Sequence, residues 1–221
     1  MTSTDLNQTT TGTSTKKDFS VSPQILDSPS RSGETSYDNP NFSKNLGYYK
    51  SIPEFKRPLD SLAIWACGKG YTTQDSLTQT ILENILGNGK QSFQQVMINH
   101  LKTKKMNGGS YIHIIRHDNG TLLNLKNLNP SRMKNIYNPQ GMIIRFEQLD
   151  LKKQNTIHKF KPEEILYSIN EPIGDEMGGV SALEACQWII DTRNEVMTDL
   201  RRILHLSTIR VMYIDADDTT R

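Results

Sequence analysis

The sequence has few of the features that mark secreted, membrane-spanning or disulfide-linked proteins. Only two of its 221 residues are cysteine, Cys67 and Cys186, and they lie far apart among apolar neighbours without a C-x-x-C pair. The longest uninterrupted apolar run covers only residues 62–67, whereas a membrane-spanning helix needs about 20 apolar residues. The N-terminus has no apolar segment of a secretory signal. We therefore predict no membrane span and two buried free thiols in a reducing compartment.

Charge of one sign is also not in excess. Lys and Arg total 26 against 24 Asp and Glu, which gives a formal net charge of +2. A dedicated nucleic-acid-binding domain usually carries a clustered basic patch. Here the basic residues are dispersed and do not alternate with aromatic side chains, as a stacking platform for bases would require. The balance excludes a strongly basic nucleic-acid binder but leaves a locally basic face open.

Phosphate-binding and metal-binding motifs are incomplete. Gly68-Lys69 and Gly89-Lys90 lack both the following Ser or Thr and the second glycine at the required distance, so they are interpreted as helix ends. His113 and His117 are four residues apart on a predicted strand and its turn, and no third metal ligand is recognisable.

Three carboxylates near the end of the sequence could suggest a two-metal nucleic-acid enzyme: Asp215, Asp217 and Asp218. They follow a predicted strand among Thr residues, which favours a solvated loop. No convergent set of His, Cys and carboxylate residues is visible. We therefore predict no enzyme activity, no catalytic, cofactor-binding or metal-binding residues, and no cofactor.

The residues that are present divide the chain into a polar tail and a folded part. Residues 1–46 contain 17 Ser or Thr and few large apolar side chains. Such a segment cannot bury enough apolar area to offset the entropy of ordering, so we predict that residues 1–46 form a disordered tail. Helical spacing of apolar residues predicts three helices, at about 53–67, 74–86 and 92–106. Pro58 is expected to split or kink the first of them. Period-two spacing predicts four strands, at 111–116, 121–125, 142–149 and 165–169. A polar turn is predicted at 152–156 and a helical turn at 160–164.

A long helix is the clearest element of the sequence. Ser181 with Glu184 three residues later predicts a capping box at its start, and the helix could continue for about 25 residues. A strand is predicted at 209–214. The fold class is therefore α+β. The long helix carries an apolar stripe, formed by Leu183, Cys186, Ile190, Met197, Leu200 and Leu204. This stripe is too extended for one small domain to cover.

Several short segments, in this order and spacing, resemble the upstream half of tailed-phage portal proteins, the structural ring subunits through which phage DNA passes. The segments are IPEFKRPL at 52–59, LNPSR at 128–132, FKPEEIL at 160–166, GVSALEA at 179–185 and IRVMYID at 209–215. The resemblance implies a wing-like α+β domain over 47–180, a first stem helix over 181–206 and the start of a clip strand over 207–221. Portal subunits continue into a second stem helix and a crown, so the resemblance also implies that this chain is a fragment.

The resemblance further implies partners and location. It implies a cyclic homo-oligomer, a dodecamer in this family, that docks the terminase motor, the capsid and head-tail connector proteins. Double-stranded DNA would pass through the channel without sequence specificity, and the protein would be assembled in the host cytoplasm and reside in the virion. The family has no catalytic residues. Two alternatives stay open: a nucleic-acid-processing enzyme, and another virion assembly protein of similar architecture.

The polar side of the long helix carries a row of like charges. Asp191, Glu195 and Asp199 are four residues apart, and Arg202 can relieve only the lower end of the row. Like charges at this spacing destabilise a helix by about 0.2–0.5 kcal/mol per pair. Either the row is a solvated face that tolerates this cost, or these residues face a channel and repel passing phosphates.

Overall fold

The computed structural model describes residues 33–150 and 155–206 and confirms the α+β class. The described residues form five helices: α1 (Phe42–Ser51), α2 (Pro53–Cys67), α3 (Ser76–Glu83), α4 (Phe93–Asn107) and α5 (Ala182–Leu206). They also form seven strands: β1 (Thr35–Asp38), β2 (Gly109–Arg116), β3 (Leu122–Leu128), β4 (Met133–Tyr137), β5 (Ile143–Leu149), β6 (Thr156–Phe160) and β7 (Ile165–Ile169). The strands make two antiparallel sheets, with the orders β1-β4-β5-β6 and β3-β2-β7.

The helix starts follow from the capping residues in the sequence. Ser92 accepts a hydrogen bond from the main-chain N of Gln95, whose side chain bonds back to the main-chain N of Ser92, so α4 begins with a capping box. Asp75 caps α3 by accepting from two main-chain N–H groups. Pro58 does not split α2, which is one helix from residue 53 to residue 67. The proline removes only one main-chain hydrogen bond, and the packing of Leu59 and Ala63 keeps the helix continuous.

Three strands were not predicted, and one of them corrects the extent of the tail. β1 lies inside the segment 1–46 that we expected to be disordered, and α1 also begins there, so this prediction is wrong for residues 33–46. Residues 1–32 lie outside the described part. β1 is held by antiparallel pairing with β4, about 100 residues later in the chain, which no local pattern reveals. β6 begins at Thr156, inside the predicted polar turn, and pairs with β5.

The apolar residues are buried in three clusters. The helical cluster joins α2, α4 and α5 through Leu59, Met106, Leu183 and Ile190. The other two clusters cover the sheet β3-β2-β7 on its two sides, and Ile112 and Tyr111, adjacent on β2, belong to one cluster each. Because neighbouring residues of a strand point to opposite faces, this sheet is packed on both sides.

The start of α5 is joined tightly to the end of α4. Ser181 Oγ accepts from the main-chain N of Leu183 at 3.1 Å and donates to the main-chain O of Met106 at 2.5 Å. Ser181 thus caps α5 as predicted, but the main-chain N of Glu184 donates to the Ser181 carbonyl oxygen instead of its side chain. A Cβ added at Gly108 or at Gly179 would overlap the carbonyl oxygen of the other glycine, so the two chain segments touch backbone to backbone.

Candidate assembly surface

α5 is mostly uncovered by its own domain. It has 25 residues, so it is roughly 37 Å long at about 1.5 Å per residue. Only its first turns pack against the domain, where the exposed fractions of Leu183 and Ile190 are 2% and 7%. Every residue from 191 to 205 is exposed. The expectation that one domain leaves the long apolar stripe incomplete is confirmed, because Met197, Leu200 and Leu204 are all exposed.

The predicted stripe combines two different faces of the helix. Leu183 and Ile190 belong to the core, whereas Cys186 is exposed. The prediction of two buried thiols is therefore wrong for Cys186, and Cys67 is half-buried. Both cysteines are free thiols.

Seven exposed residues of α5, six of them apolar, form a second stripe, which we call the seam. Its members follow alternating steps of four and three residues: Ala182, Cys186, Ile189, Arg193, Val196, Leu200 and Ile203. This is the heptad spacing of residues that meet a partner helix. Ile189 lies next to Ile190 in sequence, which rotates the seam about 100° around the helix from the core-facing side. The exposed fractions of Val196 and Ile203 are 58% and 61%, so the described part of the chain leaves them open to solvent.

Arg193 is the one polar member of the seam, and it bonds back to its own domain. Its Nη2 donates to Oε1 of Glu54, in the first turn of α2, at 2.6 Å. Both side chains are exposed, so solvent screens this ion pair and it contributes little to stability. It draws the charged end of Arg193 toward α2, which leaves the apolar members of the seam on either side of it.

The acidic row lies on another side of α5. Asp191, Glu195 and Asp199 are all exposed. Tyr48, on α1, donates from its hydroxyl to Oδ1 of Asp191 at 3.2 Å, so the upper end of the row borders the domain. Arg202 is paired with Asp199 at 3.5 Å, as its spacing suggested. Glu195 lies between these two contacts.

The remaining candidate positions are not brought together. Burial is the main cause that lowers the pKa of His113, whose ring packs against Phe160 with 4.8 Å between the ring centroids. Within residues 33–150 and 155–206 no group of three or more His, Cys, Asp or Glu side chains could hold a metal ion. Gly68 caps the C-terminus of α2, and Gly89-Lys90 lies between α3 and α4.

Two further predictions concern membranes and the end of the chain. None of the described helices is both long and apolar enough to cross a membrane. The predicted strand at 209–214 and the carboxylates Asp215, Asp217 and Asp218 lie outside the described residues.

No protein-family model and no curated protein sequence matches the chain. Solved structures do resemble it. The chain is similar to one in the neck of an empty gene transfer agent particle, computed with C6 symmetry, with a TM-score of 0.69 and 16% identity over 91% of this chain. It is also similar to chains in the virion and in the C12-symmetric neck of the native particle, with TM-scores of 0.65 and 0.63, each at 14% identity over 79% and 78% of this chain.

These likenesses concern the fold alone, because the identities are low. The chain spans about half the length of the chains it matches, with 57%, 48% and 47% of them covered. The matches cover most of this chain, so its fold is similar to folds found in these particles.

Proposed function

We propose that this chain is a wing and stem portion of a portal-type ring subunit in a virion, with a structural and not an enzymatic role. The observation that carries the proposal is the seam, an exposed heptad-spaced apolar stripe on a 25-residue helix that extends beyond its domain. A helix of this kind requires a partner along its length. A ring of identical copies provides one for every subunit, because a head-to-tail interface closes on itself under cyclic symmetry.

Two lines of similarity support this proposal. The sequence segments at 52–59, 128–132, 160–166 and 179–185 resemble portal proteins, and they lie in the same order in α2, β3 to β4, β6 to β7 and the start of α5. The fold is similar to chains of neck structures that were computed with C12 and C6 symmetry. A dodecameric ring fits both symmetries.

The partners of the whole ring belong to the same proposal. A portal-type ring in the virion would dock the packaging motor, the capsid and connector proteins, and would pass double-stranded DNA without reading its sequence. The near-neutral charge is compatible with a conduit, because many phosphate contacts would bind DNA tightly and retard it. Assembly would take place in the host cytoplasm.

Substitutions in the seam test ring formation directly. The protein to be tested is the longest form that its gene encodes. Val196→Glu combined with Leu200→Glu places two charges in the seam and should abolish the oligomer, because each carboxylate would be desolvated without a partner. Asn194→Glu combined with Thr198→Glu is a matched control, with the same charges at the same spacing on another exposed side of α5. Analytical ultracentrifugation should show rings for the wild type and the control. A wild type that stays monomeric at high concentration would contradict the proposal, as would equal assembly of both variants.

The enzyme alternative has its own test. The purified protein is assayed for cleavage of DNA and hydrolysis of a nucleotide in the presence of divalent metal. An activity that is lost when Asp215 or Asp217 is changed would refute the structural role. We expect neither activity.

A further inference from the structure

An exposed apolar row runs along one side of α2. Pro58, Leu62 and Trp65 follow Glu54 in steps of four, four and three residues, so their side chains lie one above the other on the helix. The exposed fractions of Leu62 and Trp65 are 42% and 82%, and Trp65 is the most exposed large apolar side chain in the described part of the chain. We call Pro58, Leu62 and Trp65 the α2 row. Contiguous exposed apolar side chains of this kind mark interaction surfaces.

The contacts on the other side of α2 fix the direction of this row. Asp60 is two residues from Pro58, which places the two side chains about 160° apart around the helix. Asp60 Oδ1 lies 2.7 Å from Nζ of Lys102 on α4 and also accepts from the hydroxyl of Tyr49 on α1. The side of α2 that carries Asp60 therefore meets α1 and α4, and the α2 row points away from these two helices.

The α2 row begins at the ion pair that joins α2 to the seam. Glu54, one turn before Pro58, accepts from Arg193, a member of the seam, at 2.6 Å. A residue of the same side of α2 thus contacts a residue of the exposed stripe of α5. The α2 row and the seam therefore form two parts of one surface, which meet at this ion pair.

The seam by itself is small for a stable interface. Stable interfaces bury about 800 Å² on each partner and use roughly 20–30 residues a side, whereas the seam has seven residues of one helix. A few side chains carry most of the binding energy of an interface, and Trp is enriched among them. A single buried Trp contributes about 150–250 Å² of contact area. Trp65 is therefore suited to supply part of the contact that the seam lacks.

We propose that the α2 row and the seam together receive one neighbouring copy of this chain, with Trp65 as an anchor that the neighbour buries. The inference rests on the proposed function, because it names further residues through which a ring subunit meets its neighbour. A head-to-tail interface joins two different surfaces of identical subunits. The neighbour therefore contributes a surface other than the α2 row and the seam.

Substitutions in α2 test the proposal in the longest form of the protein that its gene encodes. Trp65→Ala should raise the protein concentration at which half of the chains are in rings by at least about tenfold, as expected for an anchor residue. Leu62→Glu should raise it as well. Ile64→Glu is the matched control, because Ile64 is 54% exposed on the same helix but lies about 160° from Leu62. Analytical ultracentrifugation measures the concentrations, and equal effects of Leu62→Glu and Ile64→Glu, or no effect of Trp65→Ala, would overturn the proposal.

Hydroxyl-radical footprinting with mass spectrometry separates this inference from ring formation itself. Wild-type rings are compared with the variant Val196→Glu with Leu200→Glu, which should stay unassembled. Trp65 should be oxidised at least about threefold more slowly in the rings, because an anchor residue is desolvated in its interface. Equal protection in both samples would mean that the same chain covers Trp65, and equal oxidation would mean that the α2 row faces solvent. Either result overturns the inference while ring formation stands, and a wild type without rings overturns both.

Discussion

The hydroxyl of Ser181 donates to the main-chain oxygen of Met106 at 2.5 Å, and this bond joins the first turn of α5 to the last turn of α4. The hydroxyl oxygen of Ser181 also accepts from the main-chain N of Leu183. Ser181 therefore fixes the position from which the long helix leaves its domain.

Removal of this hydroxyl should be costly. Ser181→Ala leaves the Met106 carbonyl and the Leu183 N–H without these partners, and Ser181 is buried. We expect the free energy of unfolding to fall by about 1–3 kcal/mol. Thr198→Ala, at an exposed position of the same helix whose hydroxyl bonds to the carbonyl of Asn194, should change it by less than about 0.5 kcal/mol. Urea denaturation measures both, and equal effects would show that Ser181 does not anchor α5.

His100 makes stability depend on pH. Its Nε2 lies 2.9 Å from Ser168 Oγ, and its Nδ1 has no partner. Burial, and next the charge of Lys104, lower its pKa from 6.5 to about 4. Below pH 6.5 the unfolded chain takes up a proton that the folded chain does not, so stability falls as the pH falls through this range.

The size of this effect can be checked by mutation. Between pH 7 and pH 5 we expect a loss of about 2 kcal/mol from His100, since one pKa unit corresponds to about 1.4 kcal/mol. His100→Gln should remove that part of the pH dependence, because a glutamine does not titrate. Denaturation curves at pH 7, 6 and 5 for both proteins give the difference, and parallel curves would mean that His100 takes up its proton equally in both states.

The sequence alone predicts four of the five described helices, and it misses α1 and three strands of the four-stranded sheet, β1, β4 and β6. Ser92 and Ser181 mark helix starts through local bonds to nearby main-chain N–H groups, so a local pattern is enough. β1 is mostly polar, and it exists because it pairs with β4. A strand whose stability comes from a partner 100 residues away leaves little trace in its own residues.

The candidate surface is predicted only in part, for a geometric reason. Apolar residues surround more than half of α5, so a three-four spacing can be drawn through either the core face or the seam. The predicted stripe mixes the two, so it joins the buried Leu183 and Ile190 with the exposed Cys186. Only the packing of Leu183 and Ile190 against Leu59 and Met106 distinguishes the face that meets the domain.

The contact between Gly108 and Gly179 should tolerate no side chain at either position. A Cβ at Gly179 would overlap the carbonyl oxygens of Gly108 and Asn170, which are main-chain atoms that cannot rotate away. Gly179→Ala should lower the free energy of unfolding by several kcal/mol, at the upper end of what point mutations do. Gly47→Ala is the control, because a Cβ there meets nothing within 4 Å inside α1, and it should stabilise the protein by up to about 1 kcal/mol. Thermal unfolding that ranks the two variants the other way would contradict the close contact.

The acidic row of α5 leads to the last prediction. Under the portal proposal we infer that Asp191, Glu195 and Asp199 border the channel, where each carboxylate is repeated around the ring and repels the phosphates of passing DNA. The Tyr48 hydroxyl can still donate to an asparagine oxygen at position 191, and the seam lies on another side of the helix, so neutral variants should assemble normally. Asp191→Asn, Glu195→Gln and Asp199→Asn together should then slow DNA packaging, and most at low ionic strength, where screening is weakest. Lysine at all three positions should slow it further. If both triple variants form rings and package DNA at the wild-type rate at every salt concentration, the row is a solvated face and Arg202 only balances the charge of Asp199.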